Sequence, residues 1–550
     1  MTMSDEDTDM PEKYSYTTQM TDTGGQYSRE ELDHGIVDAK YVRMRGYEGN
    51  PYIEALPHGY TIAEMKVVFN VPASVPSPKE LAEMDEYERE DSVDAMSDFR
   101  IMLPFHALIE RQFHRTLIQS YHKRKIQENE RINVNVTVED EPMVTHAQMV
   151  PKNMSEPVSG FTLLGIGGCG KSTGLNMVLN HYPQTIIHDR ESWQRRVQIV
   201  YLLVHCTPNS NFSKLYENIG ESIDYALGNF NETYKLQFRR GSLGDKYDLL
   251  KQLIKRFAIG AIILDEIELM DIKSTKESSF ETFLALTNET GVAVCVVGTM
   301  DAYSKLFGKA RTARRCGVNI IANRYCYNQK MFKQIVSLMQ IYHWTPNLVD
   351  YAGNEKLLDA LYQTSHGVIS DLVEIYKMIQ KDQLRKPTDI TADYIRNIAK
   401  RYFEILERAR TLEEQTIDNE AASLSFDELS RLNTAQERLE EENVNRQYQE
   451  VISDPAVEKY MLLQSEVLEA IRAGHYGYRV GEIERAFSVV MRRPESTLDM
   501  PLAETVKKVL VYLNDRHEEA EIKRNRADRD KIDLKKLQDD LLQNNKKQEA

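Results

Sequence analysis

Cysteine is scarce and scattered in this chain of 550 residues. Cys169, Cys206, Cys295, Cys316 and Cys326 form no C-x-x-C pair, and a sparse, odd set in so long a chain argues against a disulfide framework or a structural zinc. Long apolar runs are missing too. Nothing approaches the roughly 20 apolar residues that cross a bilayer, so no membrane role is expected. Met1 to Met10 is acidic and polar, with no charged-then-apolar leader, which predicts a cytoplasmic protein. Positive charge is also in deficit: 69 Lys and Arg stand against 85 Asp and Glu, a formal net charge of −16. That balance argues against a basic coat for nucleic acid. It leaves room for a local basic stripe, because fields decay over a Debye length of about 8 Å.

What is present is an ordinary 41% of apolar residues and 28% of charged ones. At about 100–200 residues per domain, the length implies two to four units. Residues 1–40, polar with Gly24-Gly25 and few aliphatics, are expected to be a flexible acidic arm. Residues 41–150 form an N-terminal extension with a dense stretch at 41–60 and a helix over Leu103–Lys125, where Phe105, Leu108, Ile109, Phe113 and Leu117 recur at helical spacing. Over 151–330 short apolar runs alternate with amphipathic segments. Phe161–Leu164, Val197–Val204, Ala258–Leu264 and Val292–Val297 read as strands, with helices from Lys171, near Ser213–Ala226 and around Ser278–Thr290. This alternation predicts an α/β fold, a parallel sheet with helices on both faces. Residues 331–410 read as a small all-helical lid, and 411–550 as a charged C-terminal extension with an apolar-periodic region over Tyr460–Leu513.

Gly165-Ile-Gly167-Gly168-Cys169-Gly170-Lys171-Ser172 fits G-x-x-x-x-G-K-[ST] at every fixed position. A strand-like run precedes it and a helix, entered through Thr173, follows. Glycines let the backbone turn at positive φ and approach phosphates without a Cβ in the way. The loop N–H groups and the helix N-terminus make a positive cup for the polyphosphate of ATP. Lys171 is expected to reach the β- and γ-phosphates, and the Ser172 hydroxyl to ligate Mg²⁺. Cys169 reads as a small residue filling a variable position.

Gly260-Ala-Ile-Ile-Leu264 runs into Asp265 and Glu266 at a strand's C-terminal end. Such an Asp holds Mg²⁺, and the adjacent Glu can polarise the attacking water as general base. The following strand ends Val297-Gly298-Thr299, and Thr299 is placed to sense the γ-phosphate. Beyond it lies Lys309-Ala-Arg311-Thr-Ala-Arg314-Arg315. Arg314 or Arg315 could reach a neighbouring subunit's ATP, and an arginine supplied in this way is worth roughly 10³–10⁵ in rate. Surface arginines or a DNA-phosphate contact are the alternative readings.

Phosphate loop, Asp-Glu strand end, Gly-Thr strand end, arginine pair and helical lid, in this order, resemble an AAA+ ATPase. Asn50-Pro-Tyr-Ile-Glu-Ala-Leu-Pro57, Leu179-Asn-His-Tyr-Pro-Gln184, Leu264-Asp-Glu-Ile267, Gly291–Thr299 and Ala313-Arg-Arg315 narrow the likeness to the TnsC/TniB family of transposition-regulator ATPases. That resemblance runs over 155–380 and extends over 41–125. It implies a homo-oligomeric ring or filament on double-stranded target DNA in the ATP state, linking a target-selection protein to transposase subunits, with hydrolysis resetting the assembly. The two extensions are then the partner-binding parts. One departure stands out: where many AAA+ lids carry Gly-x-x-Arg, this chain has Gly367-Val-Ile-Ser370, which puts lid sensing in doubt and points to slow hydrolysis. Trp193-Gln-Arg195-Arg196, before the second strand, and Phe238-Arg239-Arg240-Gly241, in the insert before the Asp-Glu strand, are candidates for tracking DNA phosphates without reading bases. Two other readings compete: an initiator-type AAA+ ATPase such as a helicase loader or origin binder, and a nucleotide-binding scaffold that never touches DNA.

Overall fold

The computed structural model describes residues 26–122, 124, 160–190, 193–270, 278–299, 317–322, 329–401, 439, 442–448 and 455–517, apart from 71, 72, 74, 209, 346–348, 475, 492, 494 and 495. Its centre is a five-stranded sheet of order β5-β6-β7-β2-β8. The strands are β2 Phe161–Gly165, β5 Tyr201–His205, β6 Ala261–Asp265, β7 Ala293–Gly298 and β8 Val318–Ala322. All the pairings are parallel, so all five carboxyl ends share one edge. β2, β6 and β7 are buried at every position, the mark of a sheet covered on both faces.

Alternate residues feed two cores. Leu164, Leu202, Ile262, Leu264, Val294 and Val296 pack with helices Phe212–Ala226, Leu243–Arg256 and Ser278–Thr290. Leu163, Ile263, Cys295 and Val297 face the other way, toward helices Lys171–Leu179 and Pro104–His122. The α/β fold expected from the sequence is the fold observed.

Helix Pro104–His122 is a covering layer of this sheet, with Ile109, Phe113, Leu117 and Tyr121 wholly buried. Ser120 Oγ donates to the carbonyls of Gly260 at 2.8 Å and Gly291 at 2.9 Å, and Tyr121 Oη to that of Ala258 at 2.9 Å. The stretch Asn50–Pro57 is tied down beside it. Asn50 Nδ2 donates to the Tyr121 carbonyl at 3.0 Å, and Gln198 Nε2 to the Tyr52 carbonyl at 3.0 Å.

Three expectations need correction. Residues 26–40, assigned to a flexible arm, are built into the fold: Tyr27 and Val37 are buried, and β1, Ile36–Asp38, pairs in parallel with β3, Thr185–Arg190. The remainder of that arm lies outside the described residues. The single strand expected at Val197–Val204 is two. β4, Trp193–Ile199, is antiparallel to β3 in a small sheet of order β1-β3-β4, and β5 then enters the main sheet beside β6. The chain changes partners where the Ile199 N–H turns to the Phe257 carbonyl at 2.8 Å and the Val200 N–H to that of Gln184 at 2.8 Å. Arg195 and Arg196 therefore sit inside β4, not in a loop before a strand.

The lid contains helices Gln329–Met339, Glu355–Ser365 and Ile369–Arg385 and a further helix over 392–401. An acidic strap, residues 78–98, crosses it. Glu90 pairs with Arg385, and Asp94 with Lys381 at 2.9 Å and Lys377 at 3.3 Å. Helices Pro455–Ala473 and Val480–Met491 pack on the same lid. Tyr342 Oη donates to Glu484 at 2.9 Å, Arg472 to the His343 carbonyl at 3.1 Å, and Arg479 to Glu80 of the strap at 2.9 Å.

Candidate nucleotide site

β2 ends at Gly165, where a Cβ would lie 2.4 Å from the Ala322 carbonyl of neighbouring β8; only glycine fits between these strands. The chain then turns through Gly168 at φ +75° and Gly170 at φ +95°, left-handed conformations open to glycine. Helix Lys171–Leu179 begins directly after the second of these. Lys171 folds back over the loop, its Nζ donating to the carbonyls of Gly165 at 2.7 Å and Ile166 at 2.9 Å. Ser172 is exposed beside it and Thr173 half-buried. Cys169 is 2% exposed, and burial pushes its thiol up from the ordinary value. It is a neutral packing group under Gly165.

β6 brings Asp265 to the same edge, 5% exposed. Burial raises its carboxyl above the usual range, opposed by the Glu266 N–H, by His205 and by the charge of Lys171. The Glu266 N–H donates to Asp265 Oδ1 at 3.0 Å, and His205 Nδ1, at the paired end of β5, stands 3.8 Å from Oδ2. A desolvated carboxylate gains from positive charge placed beside it. Among the described residues no group of three or more His, Cys, Asp and Glu side chains is placed to hold a metal. Mg²⁺ suits such a place, since it takes one or two carboxylates and completes its shell with phosphate oxygens and water. The donor set here, one buried carboxylate with the Ser172 hydroxyl on the same sheet edge, fits that habit.

Glu266 is exposed and sits at φ +56°, ψ +42°. For a residue with a Cβ this left-handed geometry costs about 1–2 kcal/mol. It turns the chain at once into the short 3₁₀ helix Ile267–Leu269. Glu268 of that helix accepts the Thr299 N–H at 3.2 Å, joining the end of β6 to the residue just past β7.

The lid meets the loop directly. Ser370, in the first turn of helix Ile369–Arg385, directs its N–H to the Gly168 carbonyl at 3.4 Å, and a Cβ on Gly168 would lie 2.3 Å from Ser370 Oγ. From the opposite side Leu103, Phe105 and His106 press on the loop and its helix. His106 is fully buried, its pKa lowered by desolvation to about 3, and a Cβ on Gly174 would meet its ring at 2.3 Å.

The structure thus brings Gly165, Gly167, Gly168, Cys169, Gly170, Lys171, Ser172, Thr173, Asp265, Glu266 and Thr299 to one edge of the sheet. Arg314 and Arg315 lie outside the described residues, as does the side chain of Arg195. Arg196 is half-buried in β4, opposite His188. Arg239 and Arg240 are exposed at the end of the short helix Thr233–Phe238, on a different element. His205, Glu268, His106 and the Ser370 contact were not found from sequence. Each depends on which strand ends adjoin or which helix crosses the loop, and no local motif marks them.

Residues 159–306 match the family model described as an AAA domain. With the sheet order and the loop geometry, this defines a P-loop core of the AAA+ ATPase fold. Two solved structures resemble the chain at 13% identity and a TM-score of 0.28. The Aeropyrum pernix ORC2 protein, in ADPNP-ADP complexes, aligns over 66% of this chain and 90% of its own. The Aeropyrum pernix ORC1 protein, in complex with DNA, aligns over 65% and 78%. No curated protein matches the sequence. No described helix is long and apolar enough to cross a membrane.

Proposed function

We propose that this chain is an ATP-hydrolysing switch that assembles on double-stranded DNA with ATP and regulates transposition, linking a target-selection protein to transposase subunits. The observation that carries the hydrolytic part is the meeting of the Gly165–Ser172 loop with Asp265 and Glu266 on one sheet edge. Lys171 leaves the loop carbonyls for the β- and γ-phosphates, while loop N–H groups and the helix N-terminus hold their oxygens. Ser172 and Asp265 would hold Mg²⁺, which neutralises charge developing between the β- and γ-phosphates. Glu266, exposed at the strand end, orients the attacking water and takes its proton. Thr299 reports whether a γ-phosphate is present. Ser370, touching Gly168, makes lid position depend on loop conformation without a charged side chain.

The transposition part is supported by the resemblance over Asn50–Pro57 and 155–380. In this reading the ends of the chain meet the selector and the transposase, Arg314 or Arg315 acts across a subunit boundary, and Arg195, Arg196, Arg239 and Arg240 follow DNA phosphates. The test is DNA binding by the purified protein with ATP, ADP or no nucleotide, at two salt concentrations, beside a Glu266→Gln variant. Binding that requires ATP, weakens steeply with salt and persists longer in the variant supports the switch. Nucleotide binding with no DNA retention under any condition sinks it and leaves a nucleotide-bound scaffold.

A further inference from the structure

The end of β6 and the end of β7 are joined by one side chain that the proposed chemistry has not used. After Asp265 the left-handed Glu266 reverses the chain, and the 3₁₀ turn closes with the Leu269 N–H on the Glu266 carbonyl at 3.0 Å and the Met270 N–H on that of Ile267 at 3.1 Å. This turn aims the Glu268 carboxylate at the neighbouring strand, where Oε2 accepts the Thr299 N–H at 3.2 Å. Thr299 is one residue beyond the last residue of β7, past the reach of the ladder that pairs Leu164 with Gly298. Cys206, which follows the end of β5, donates its N–H to the Asp265 carbonyl at 2.9 Å, and burial, with the negative charges of Asp265, Glu268 and Glu266, pushes its thiol up. Three strand ends and the turn between them form one unit.

We propose that Glu268 is a positioning residue for ATP hydrolysis: by holding the Thr299 backbone it fixes the Thr299 hydroxyl relative to Glu266. This rests on the hydrolytic reading of the site. A carboxylate is suited to the task because a charged acceptor strengthens an N–H···O bond over a neutral one. A shift of a fraction of an ångström between Thr299 and Glu266 changes how the γ-phosphate and the attacking water are aligned, while ATP's grip on the loop is untouched. The role belongs to the rate and not to the affinity.

The experiment compares steady-state ATP hydrolysis and ADP affinity in the full chain for Glu268→Ala, Glu268→Gln, Thr299→Ala, the Glu268→Ala/Thr299→Ala double variant and Glu266→Gln. Glu268→Ala is expected to lower kcat about tenfold with KM and ADP affinity unchanged. Glu268→Gln, which keeps an acceptor oxygen, should recover most of that loss. The double variant should be no slower than Thr299→Ala alone, because with the hydroxyl gone there is nothing left to position. Wild-type kcat in Glu268→Ala, or an equal further loss on the Thr299→Ala background, overturns the proposal. ATP turnover that survives Glu266→Gln removes the hydrolytic reading, and this inference with it. Glu268→Gln also guards against a folding artefact: if the alanine variant melts early and the glutamine variant does not, a glutamine variant with native ADP affinity that turns over near the wild-type rate supports the acceptor role, and one as slow as the alanine variant overturns it.

Discussion

At Gly168 the backbone runs at φ +75°, and the first turn of the lid helix stands over it, so that a Cβ would come within 2.3 Å of Ser370 Oγ and 3.2 Å of Val368. Gly168→Ala therefore meets two penalties, a strained backbone and a displaced lid. It is expected to weaken ATP and ADP binding at least tenfold, read by calorimetric titration. Gly167→Ala, with open space at its Cβ position, should cost far less. A second residue-scale prediction concerns Glu110, fully buried behind helix Lys171–Leu179. It accepts from the Tyr60 N–H at 3.0 Å and Tyr182 Oη at 2.9 Å, and burial raises its pKa to about 7. Its folded pKa lies above the ordinary carboxylate value of 4.5, so the folded state holds the proton more tightly. Its contribution to stability is greatest at acid pH and is lost as pH rises toward and through 7. Relative to Glu110→Gln, the wild type should lose about 2 kcal/mol between pH 5 and pH 8, by denaturant titration. A pH dependence equal in both proteins would refute this.

Residues whose chemistry is set by backbone geometry were readable in advance. Gly165, Gly168, Gly170, Lys171, Asp265 and Glu266 lie where a glycine-rich turn and a strand end had to put them. Glu268 was not readable, because a carboxylate two positions past the Asp-Glu pair looks like any solvated side chain until β6 and β7 are known to be neighbours. His106 reads as one more member of an apolar helical face. Its role under Gly174 is set by the crossing of two helices at residues more than sixty positions apart in sequence, and spacing within one helix cannot report that.

Strands buried on both faces announce themselves as continuous apolar runs, which is why β2, β6 and β7 were legible. The same property hid the break at Val200: a run of β-formers carries no mark of the point where it leaves one sheet for another. β1 was missed because three residues give too little periodicity, and β8, as long as β2 or β6, because Asn319 interrupts its apolar run and the strand is only partly buried. The strap over the lid could not be foreseen either. Glu90 and Asp94 are four positions apart, and so are Lys377, Lys381 and Arg385 in succession, so each set forms one helical stripe. Neither stripe by itself says that it faces the other. Ion pairs this exposed contribute roughly 0.2–1 kcal/mol each and are screened by salt. The Glu90→Gln/Asp94→Asn double variant should melt a few degrees lower than wild type in dilute buffer, by differential scanning calorimetry. In high salt that difference should largely vanish. A gap that persists in salt would mean that packing, not charge, holds the strap.

Over the whole molecule, the parts read from sequence as successive units are interleaved. Tyr448, 6% exposed, donates its hydroxyl to the Met102 carbonyl at 2.9 Å across 346 residues of chain. Met102 opens the turn whose Leu103, Phe105 and His106 press on the phosphate loop. Tyr448→Phe removes one buried hydrogen bond and is expected to cost about 1 kcal/mol by thermal melting. Removing residues 442–550 should cost more and weaken ATP binding as well, since the turn loses its cover. If that truncation binds ATP like the full chain, the C-terminal extension is independent of the site.

The covering helix Pro104–His122 also has a history imposed by the direction of synthesis. Ser120 finds its acceptors 140 and 171 residues later, at Gly260 and Gly291. At roughly 5–20 residues per second on the ribosome, the second of these arrives some ten to thirty seconds after the helix has emerged. Throughout that interval Ile109, Phe113, Leu117 and Tyr121 have no sheet to lie on. A nascent chain stalled before β7 is therefore a species with a bare apolar helix, and its capture by a holding chaperone should fall once residue 298 has cleared the exit tunnel.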